Sequence, residues 1–446
     1  MNVSDKFGAG IREDGRLFNV ALAVLMLMVA GTLLYPETFI SVGLMAGPFR
    51  ISPMAVLFMI AAPPIIWYSW IHRRHIRPGI FDVGLLISLV FITARGLFAV
   101  TNGNELGLVV AYICYVLLLY YGTAVLGQSR KTVELIFYTL AILAVVISAY
   151  ALLEYFLANN FLYGSLTEEK SPLKSAVFYR SGSTLAQPAV LGIFMVQVIP
   201  ILVYLFVVSR SNMQKVLWGA ASALSIAALL ATFAKGSWVV AVMMGIGATI
   251  YVAMHWSRLK KGLRVGLVLF TVSCIVVILI FSLMSLQNLN FNILSEERQQ
   301  ESIDMRWDMW KKAPDVFLQQ PMVGVGIWHG GNIVSHLVAD EFGFDLESPI
   351  PISNVYILIL VEEGLIGSML FAGTLILLGR HAWLVIRNGG ESTRIAVPLV
   401  LGMIALLLNG MTADSLFIWP AMVLFWFEAG LIRAQLELIE NKKELA

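Results

Sequence analysis

Long apolar runs separated by short polar segments cover almost the whole chain, and they predict a membrane protein built from helices. A helix needs about 20 consecutive apolar residues to cross a bilayer. Runs of about that length lie at 17–36, 52–70, 79–100, 106–126, 135–158, 189–208, 216–233, 238–256, 265–285, 354–377, 395–412 and 416–432. The pattern therefore predicts an all-α polytopic membrane protein with about 12 transmembrane helices.

Short basic clusters indicate which ends of these spans face the cytoplasm. Lys and Arg accumulate in short cytoplasmic loops of membrane proteins. If the N-terminus is cytoplasmic, every short cluster falls on the inner side. The clusters comprise Arg73, Arg74, Arg77, Arg130, Lys131, Arg210, Lys215, Arg258, Lys260, Lys261, Arg264, Arg380, Arg387, Arg394, Lys442 and Lys443. The sequence therefore predicts that both termini are cytoplasmic.

Two segments on the predicted outer side are too long to be simple connections, a smaller one at 159–188 and a larger one at 286–353. Loops longer than about 12–15 residues are usually functional or disordered, and the larger one is too rich in Trp, Phe, Ile and Val to be disordered. We predict that 1–285 holds the first nine spans and that 286–353 is an outer loop with short helices. The last three spans and a cytoplasmic tail would occupy 354–446.

Composition excludes most other classes of protein. Of the 446 residues, 59% are hydrophobic and 13% are charged, whereas an ordinary soluble protein is about a quarter charged. A cytosolic enzyme, a disordered chain and a disulfide-stabilised domain are therefore excluded. The net charge of +2 is too balanced for a nucleic-acid-binding protein.

Several basic residues lie on the outer side, where the positive-inside rule disfavours them. Arg95, Arg180 and Lys235 each lie at or near the outer end of a predicted span. Ionisable groups at membrane depth are costly and mark functional sites. Cations that converge there suit an anionic headgroup such as a lipid-linked pyrophosphate. The alternative is that these side chains only reach ordinary phospholipid phosphates.

The larger outer loop contains one amphipathic segment. Trp307 and Trp310 share a helical face, and Asp308 and Lys312 have the i, i+4 spacing of an ion pair. We expect a helix near the membrane surface with Arg306 beside its aromatic face. The Trp pair fits an interfacial structural role at least as well as sugar stacking.

The same loop holds candidates for a general base, His329, His336 and Asp340, because it is predicted to lie over the anion site. They form no tight cluster, so we predict no metal site.

Glu362 and Glu363 lie near the middle of the tenth span. Each carboxylate has either a structural role, paired with a basic residue, or a catalytic role. Two adjacent carboxylates cannot share one helical face, so at least one should face the bundle interior. Glu154 and Asp414, near outer ends of spans, are secondary candidates of the same kind.

Four motifs follow one another between about 175 and 375. The first two are Arg180-Ser181-Gly182-Ser183 before Gln187-Pro188, and the turn from Thr232 to Trp238 around Lys235. The third runs from Arg306-Trp307 to Gly324-Val325-Gly326, and the fourth joins Ser353-Asn354 to Glu362-Glu363-Gly364-Leu365-Ile366-Gly367. Their order and spacing resemble the O-antigen ligase/polymerase superfamily of bacterial inner-membrane glycosyltransferases.

The resemblance implies a GT-C-like enzyme with its active site at the periplasmic face of the inner membrane. Such enzymes move a glycan from undecaprenyl pyrophosphate to an acceptor hydroxyl with inversion, and they need no cofactor, nucleotide sugar or metal. The implied partners are the lipid-linked donor, an acceptor glycan (a lipid-linked repeat or lipid A-core) and membrane lipids. A protein that regulates chain length is a further candidate partner. By analogy, the pyrophosphate would be held by Arg180, Lys235, Arg306 and Arg95. The site would be shaped by Ser353, Asn354, Glu362, Glu363, Gly364 and Gly367.

Two positions depart from the family pattern. Ligases carry their proposed base, a histidine, where this chain has Ser353, and serine cannot act as a general base at neutral pH. Lys235 replaces an arginine and lacks its bidentate geometry toward phosphate. Either this member is a polymerase with a different arrangement, or the base is one of His329, His336, Asp340 and Glu347. We favour polymerisation of O-antigen or exopolysaccharide repeat units, with an O-antigen ligase as the alternative.

A transporter, such as a flippase for lipid-linked oligosaccharides, is the hypothesis from a different class. Carriers hold ionisable groups at the membrane midplane in repeat-related helices. Here most of the unusual charges lie at the outer mouth of the spans and in one outer loop. This distribution favours chemistry at the outer surface over transport.

Overall fold

The apolar runs fold into helices throughout the part of the chain that the structure describes. The computed structural model describes residues 15–34, 44–46, 49–51, 53–72, 78–99, 103–157, 159, 161–162, 180–255, 268, 272, 296–327, 329–342, 352–388 and 390–444. The first elements are α1 (Gly15–Leu34), β1 (Leu44–Ala46), β2 (Phe49–Ile51), α2 (Pro53–Ile71), α3 (Ile80–Ala99), α4 (Gly103–Leu126) and α5 (Arg130–Leu157). A 3₁₀ turn (Ser183–Leu185) leads into α6 (Pro188–Val208), α7 (Asn212–Ala231) and α8 (Lys235–His255). The remaining helices are α9 (Glu296–Phe317), α10 (Gly330–Phe342), α11 (Val355–Asn388), α12 (Gly390–Asn409) and α13 (Trp419–Glu444).

The predicted fold class, an all-α polytopic membrane protein, is confirmed. The two short strands form one antiparallel hairpin, with Met45 paired to Arg50. Every predicted span except 265–285 contains a helix, and 265–285 lies outside the described residues apart from 268 and 272. Among the described residues, the helices that are long and apolar enough to cross a membrane are six: α1, α5, α6, α7, α11 and α12. The total of twelve spans and the three-part domain organisation stay predictions.

Internal contacts divide the chain into two compact units. The first comprises Met1–Leu140, Leu370–Val400 and Met422–Ala446, and the second comprises Ala141–Met369 and Leu401–Ala421. Arg180, Lys235 and Arg306 all belong to the second unit, whereas Arg95 belongs to α3 in the first.

The first unit contains a buried ion-pair network among its apolar helices. Arg433 of α13 pairs with Glu437 at 2.6 Å and lies 3.8 Å from Asp82 of α3. The same Asp82 accepts a hydrogen bond from the backbone N–H of Gly79 at 2.6 Å. Buried charges persist only where they are paired, so this network ties α3 to α13.

The second unit is organised around α6. This helix is buried along most of its length and packs against α7 and α8. Ser148 on α5 donates a hydrogen bond to Ser225 on α7 at 3.2 Å. Neighbouring helices therefore share polar as well as apolar contacts, as is common between membrane helices.

The segment predicted to be the larger outer loop contributes a core of its own to the second unit. Its buried residues are Met309, Ala313 and Val316 of α9, Val334 and Val338 of α10, and Ile352, Leu358 and Val361 at and beyond the loop's exit. The predicted helix around Arg306 is present. Its buried face passes through Met309, and Trp307 is 56% exposed. The helix packs onto α10 and α11, and this packing decides which face is covered.

One predicted ion pair in this region is wrong. Asp308 pairs with Lys311 at 3.1 Å, and Lys312 instead pairs with Glu341 at 2.8 Å. The partner of Lys312 lies on α10, because α9 and α10 pack side by side and bring the two side chains together.

Helix α11 is interrupted at Gly364, whose φ of 64° and ψ of −165° are not helical. The loop 321–326 fills the interruption. Four backbone hydrogen bonds cross the junction, from Val325 N to Val361 O (3.0 Å), Gly326 N to Glu362 O (2.8 Å), Leu365 N to Pro321 O (2.9 Å) and Ile366 N to Met322 O (3.0 Å). Buried backbone groups require partners, so the loop satisfies the groups that the break in the helix frees.

Candidate functional site

The turn Arg180–Ser183 folds around one buried carboxylate. Glu154, at the end of α5, is fully buried. Its oxygens accept hydrogen bonds from the Ser181 hydroxyl at 2.8 Å and from the backbone N–H groups of Ser183 at 2.6 Å and Gly182 at 3.3 Å. Bonds to an ionised acceptor are stronger than neutral ones, so Glu154 fixes the point at which Arg180 leaves the turn.

Arg180 lies against a second turn, 232–237, which we name the Lys235 turn. Its Nε donates a hydrogen bond to the carbonyl of Thr232 at 3.2 Å, and Ser181 N donates to Ala231 O at 3.0 Å. Burial lowers the pKa of Lys235 at the start of α8, and the nearby charge of Arg180 lowers it further. Two cations held this close repel each other, so the arrangement favours a bound anion.

The Lys235 turn packs against the hairpin 410–418, which joins α12 to α13. Ser237 donates a hydrogen bond from its hydroxyl to Asn409 Oδ1 at 2.9 Å. A Cβ added to Gly236 would lie 2.5 Å from Thr412 Oγ1. Glycine at this position therefore permits the close approach of the two segments.

The other side of the hairpin contacts the exit of the larger loop. Asn354 Oδ1 accepts hydrogen bonds from the backbone N–H groups of Tyr356 (3.0 Å) and Ile357 (3.1 Å), which caps α11. Its Nδ2 donates to Met411 O of the hairpin at 3.1 Å. One side chain thus begins the helix and positions the hairpin beside Ser353.

Asp414 occupies the hairpin next to this exit and near Arg306. Burial raises the pKa of its carboxyl to about 6, although the backbone amides of Asn354 and Ser353 and the charge of Arg306 oppose the shift. Within the part of the chain that the structure describes, its Oδ1 has no hydrogen-bond partner. A carboxyl with a pKa near neutrality can take up and release protons during a reaction.

Backbone strain is concentrated in the same segments. In the described ranges, the non-glycine residues with positive φ are Ser183 (53°), Ala186 (61°), Phe233 (50°) and Ser353 (54°). They belong to the turn after Arg180, the Lys235 turn and the loop exit. Such conformations cost about 1–3 kcal/mol each and occur mainly at functional sites.

The structure describes three of the four predicted base candidates. His336 and Asp340 are exposed on α10. His329 precedes that helix, and its Nδ1 lies 2.8 Å from Ile327 O. Glu347 lies outside the described residues.

Both carboxylates of α11 are buried, Glu362 at 1% and Glu363 at 5% exposure. Glu362 Oε1 accepts a hydrogen bond from the backbone N–H of Gly330 at 3.2 Å. It therefore stabilises the N-terminus of α10, where a negative charge is favourable. Gly364, two residues later, forms the break in α11, and Gly367 is buried just beyond it.

Glu154 and Asp414 are only secondary candidates in the sequence, whereas the structure joins both to the predicted motifs. In the sequence, each is a single carboxylate near the predicted outer end of an apolar run. A charge there is energetically unfavourable and so draws attention, but the sequence does not show which residues the carboxylate contacts.

These features define a multi-pass helical membrane protein with converging cations and an acid of raised pKa in one of its compact units. Residues 220–372, about a third of the chain, match the family model of the O-antigen ligase. This match confirms the resemblance to the O-antigen ligase/polymerase superfamily and supports a function of that general type. The matched region includes Lys235, Arg306 and Asn354, whereas Arg180 and Asp414 lie outside it. No curated protein gives a significant match.

Proposed function

We propose that the protein is a glycosyltransferase working at the periplasmic face of the inner membrane. It moves a glycan from undecaprenyl pyrophosphate to a sugar hydroxyl, and it polymerises O-antigen or exopolysaccharide repeat units. The observation that carries this proposal is the closeness of two cationic side chains, Arg180 and Lys235, beside the hairpin that holds Asp414. Two adjacent cations suit the two phosphates of the donor.

The proposed reaction requires stabilisation of a leaving group rather than a nucleotide sugar or a metal. When the bond between the sugar and the pyrophosphate breaks, the pyrophosphate gains negative charge. Cations fixed before the reaction stabilise that charge without rearrangement. Arg180 is fixed by its bond to Thr232 and by the turn that Glu154 holds. A direct displacement of this kind inverts the anomeric carbon.

An O-antigen ligase, which transfers the finished polysaccharide to lipid A-core, is the second candidate. The match to the family model of the O-antigen ligase favours this candidate. Ser353, at the position where ligases carry their proposed basic histidine, favours the polymerase.

Deletion of the gene, followed by sizing of the surface and lipid-linked glycans, tests the proposal and separates the two candidates. Single repeats on lipid without long chains would support the polymerase. Long chains accumulating on undecaprenyl pyrophosphate, with bare lipid A-core, would support the ligase. Unchanged glycans would contradict both candidates.

Arg180→Ala tests the role of the cations directly. We expect loss of polymer with normal amounts of protein in the membrane, because the pyrophosphate would lose one of its paired cations. Arg210→Ala is the matched control, since Arg210 is exposed at the opposite end of α6. Normal polymer from Arg180→Ala would contradict the pyrophosphate-binding argument.

A further inference from the structure

We propose that the carboxylate of Asp414 is the general base that deprotonates the acceptor hydroxyl, in place of a histidine at position 353. This inference rests on the proposed function, because it assigns the one chemical role that the motifs leave unfilled. It names a catalytic residue outside the region that matches the family model.

The position of Asp414 supports this role. The exit segment that contains Ser353 and the hairpin that contains Asp414 are joined by Asn354, whose Nδ2 donates to Met411 O at 3.1 Å. The backbone amides of Ser353 and Asn354 lie close enough to the carboxylate to stabilise its charge. A carboxylate on the hairpin therefore reaches the space next to the position where a histidine side chain would begin.

The charges around Asp414 also fit a base next to a departing anion. The charge of Arg306, on α9, lies near enough to lower the pKa of the Asp414 carboxyl. The Lys235 turn packs against the same hairpin at Thr412, and it carries Lys235 with Arg180 beside it. Of these cations, Arg306 acts on Asp414 directly and stabilises the ionised carboxylate that a base requires. Burial raises the pKa of Asp414 to about 6, so the group is mostly ionised at neutral pH yet more basic than an ordinary aspartate.

Two buried carboxylates of the second unit, Glu154 and Glu362, already serve the fold. Glu154 accepts three hydrogen bonds from the turn after Arg180. Glu362 accepts the N–H of Gly330 at the start of α10. Asp414 Oδ1 has no hydrogen-bond partner within the described ranges, so it can accept the proton of a bound hydroxyl.

The proposed step balances without a further reactant. The acceptor oxygen forms a bond to the anomeric carbon while the bond from that carbon to the pyrophosphate oxygen breaks. The electron pair of the broken bond stays on the pyrophosphate, which leaves with one more negative charge. The hydroxyl proton passes to the carboxylate of Asp414.

Asp414→Asn tests the proposal in the purified full chain. The donor probe is lipid-linked glycan extracted from the deletion strain, and the readout is release of undecaprenyl pyrophosphate. We expect kcat to fall by about 10²–10⁴-fold, the usual contribution of a general base, with KM for the donor unchanged. Asp414→Glu should recover part of kcat. Asp315→Asn, which removes an exposed acid on α9, is the matched control and should behave as wild type.

A second variant separates catalysis from a structural role. Ser353→His combined with Asp414→Asn should recover activity, because the imidazole supplies a base from the neighbouring position. Histidine tolerates the positive φ of 54° at this residue better than most side chains do. In wild type, kcat/KM should fall as the pH drops below about 6, where the carboxylate becomes protonated. The residual activity of Asp414→Asn should lack this dependence.

The outcomes distinguish this proposal from the proposed function. Full activity of Asp414→Asn would overturn the assignment of the base and leave the transferase intact. Equal loss of donor binding and kcat, without recovery by Asp414→Glu or by Ser353→His, would make Asp414 structural and also overturn it. Absence of undecaprenyl pyrophosphate release by wild type would overturn the proposed function before any variant is compared.

Discussion

The break in α11 gives the sharpest test of how the second unit is held together. Gly364 has a φ of 64° and a ψ of −165°, a region of backbone conformation that is open almost only to glycine. A Cβ added there would lie 2.5 Å from Gly324 N and 2.6 Å from Met322 C. Both are backbone atoms and cannot rotate away, so Gly364→Ala must displace the loop 321–326.

The expected loss of stability follows from two contributions. The forced backbone conformation costs about 1–3 kcal/mol. Displacing the loop weakens the four backbone hydrogen bonds of the junction, and loss of two of them adds about 1–3 kcal/mol at 0.5–1.5 kcal/mol each. The free energy of unfolding should therefore fall by about 2–6 kcal/mol.

Thermal unfolding of the purified full chain in detergent, with limited proteolysis of the loop, measures this effect. Gly373→Ala is the matched control in the same helix, because no atom lies within 4 Å of its added Cβ. An alanine inside a helix is more stable than a glycine by about 0.5–1 kcal/mol, so the control should unfold at or above the wild-type temperature. If Gly364→Ala unfolds together with this control, the junction does not stabilise the unit as argued.

Two further substitutions test contacts on either side of the site. Glu154→Gln should lower both thermal stability and polymer output, because one oxygen that accepts a hydrogen bond becomes an NH2 group that faces a donor. Unchanged glycan profiles in the complemented deletion strain would contradict its positioning role. Trp310→Phe should cost about 0.5–1.5 kcal/mol through loss of the 2.8 Å bond from Nε1 to Ile352 O. Trp307→Phe, at a position that is 56% exposed, should leave the unfolding temperature unchanged, and equal effects of the two Trp variants would refute this reading of α9.

The sequence predicts the helices well because apolar length alone determines where a chain can cross a bilayer. The Lys235 turn between α7 and α8 falls where the apolar runs predict it. Which residues cover α9 could not be predicted, because burial there depends on α10 and α11. The sequence pattern places Trp307 and Trp310 on one face but does not single out Met309, the residue that is fully buried.

Part of the candidate site is visible in the sequence, and part is not. Arg180 and Lys235 stand out because they fall on the predicted outer side, where positive charge is unusual in a membrane protein. The approach of Asp414 to Ser353 depends on contacts such as that of Asn354 with Met411. Residues so far apart along the chain carry no pattern that links them, and Asp414 by itself is only one carboxylate at the end of an apolar run.

The proposed roles of Asp414 and the cations depend on each other. When the acceptor hydroxyl gives its proton to Asp414, the carboxylate loses a negative charge as the pyrophosphate gains one. Negative charge therefore moves within a region that the charge of Arg306 reaches and that packs against the Lys235 turn, and its total is unchanged. Moving charge between fixed cations costs less in a poorly solvated site than creating a new charge there. This is a physical reason to place the base on the hairpin that packs against the Lys235 turn, rather than on the exposed face of α10 where His336 and Asp340 lie.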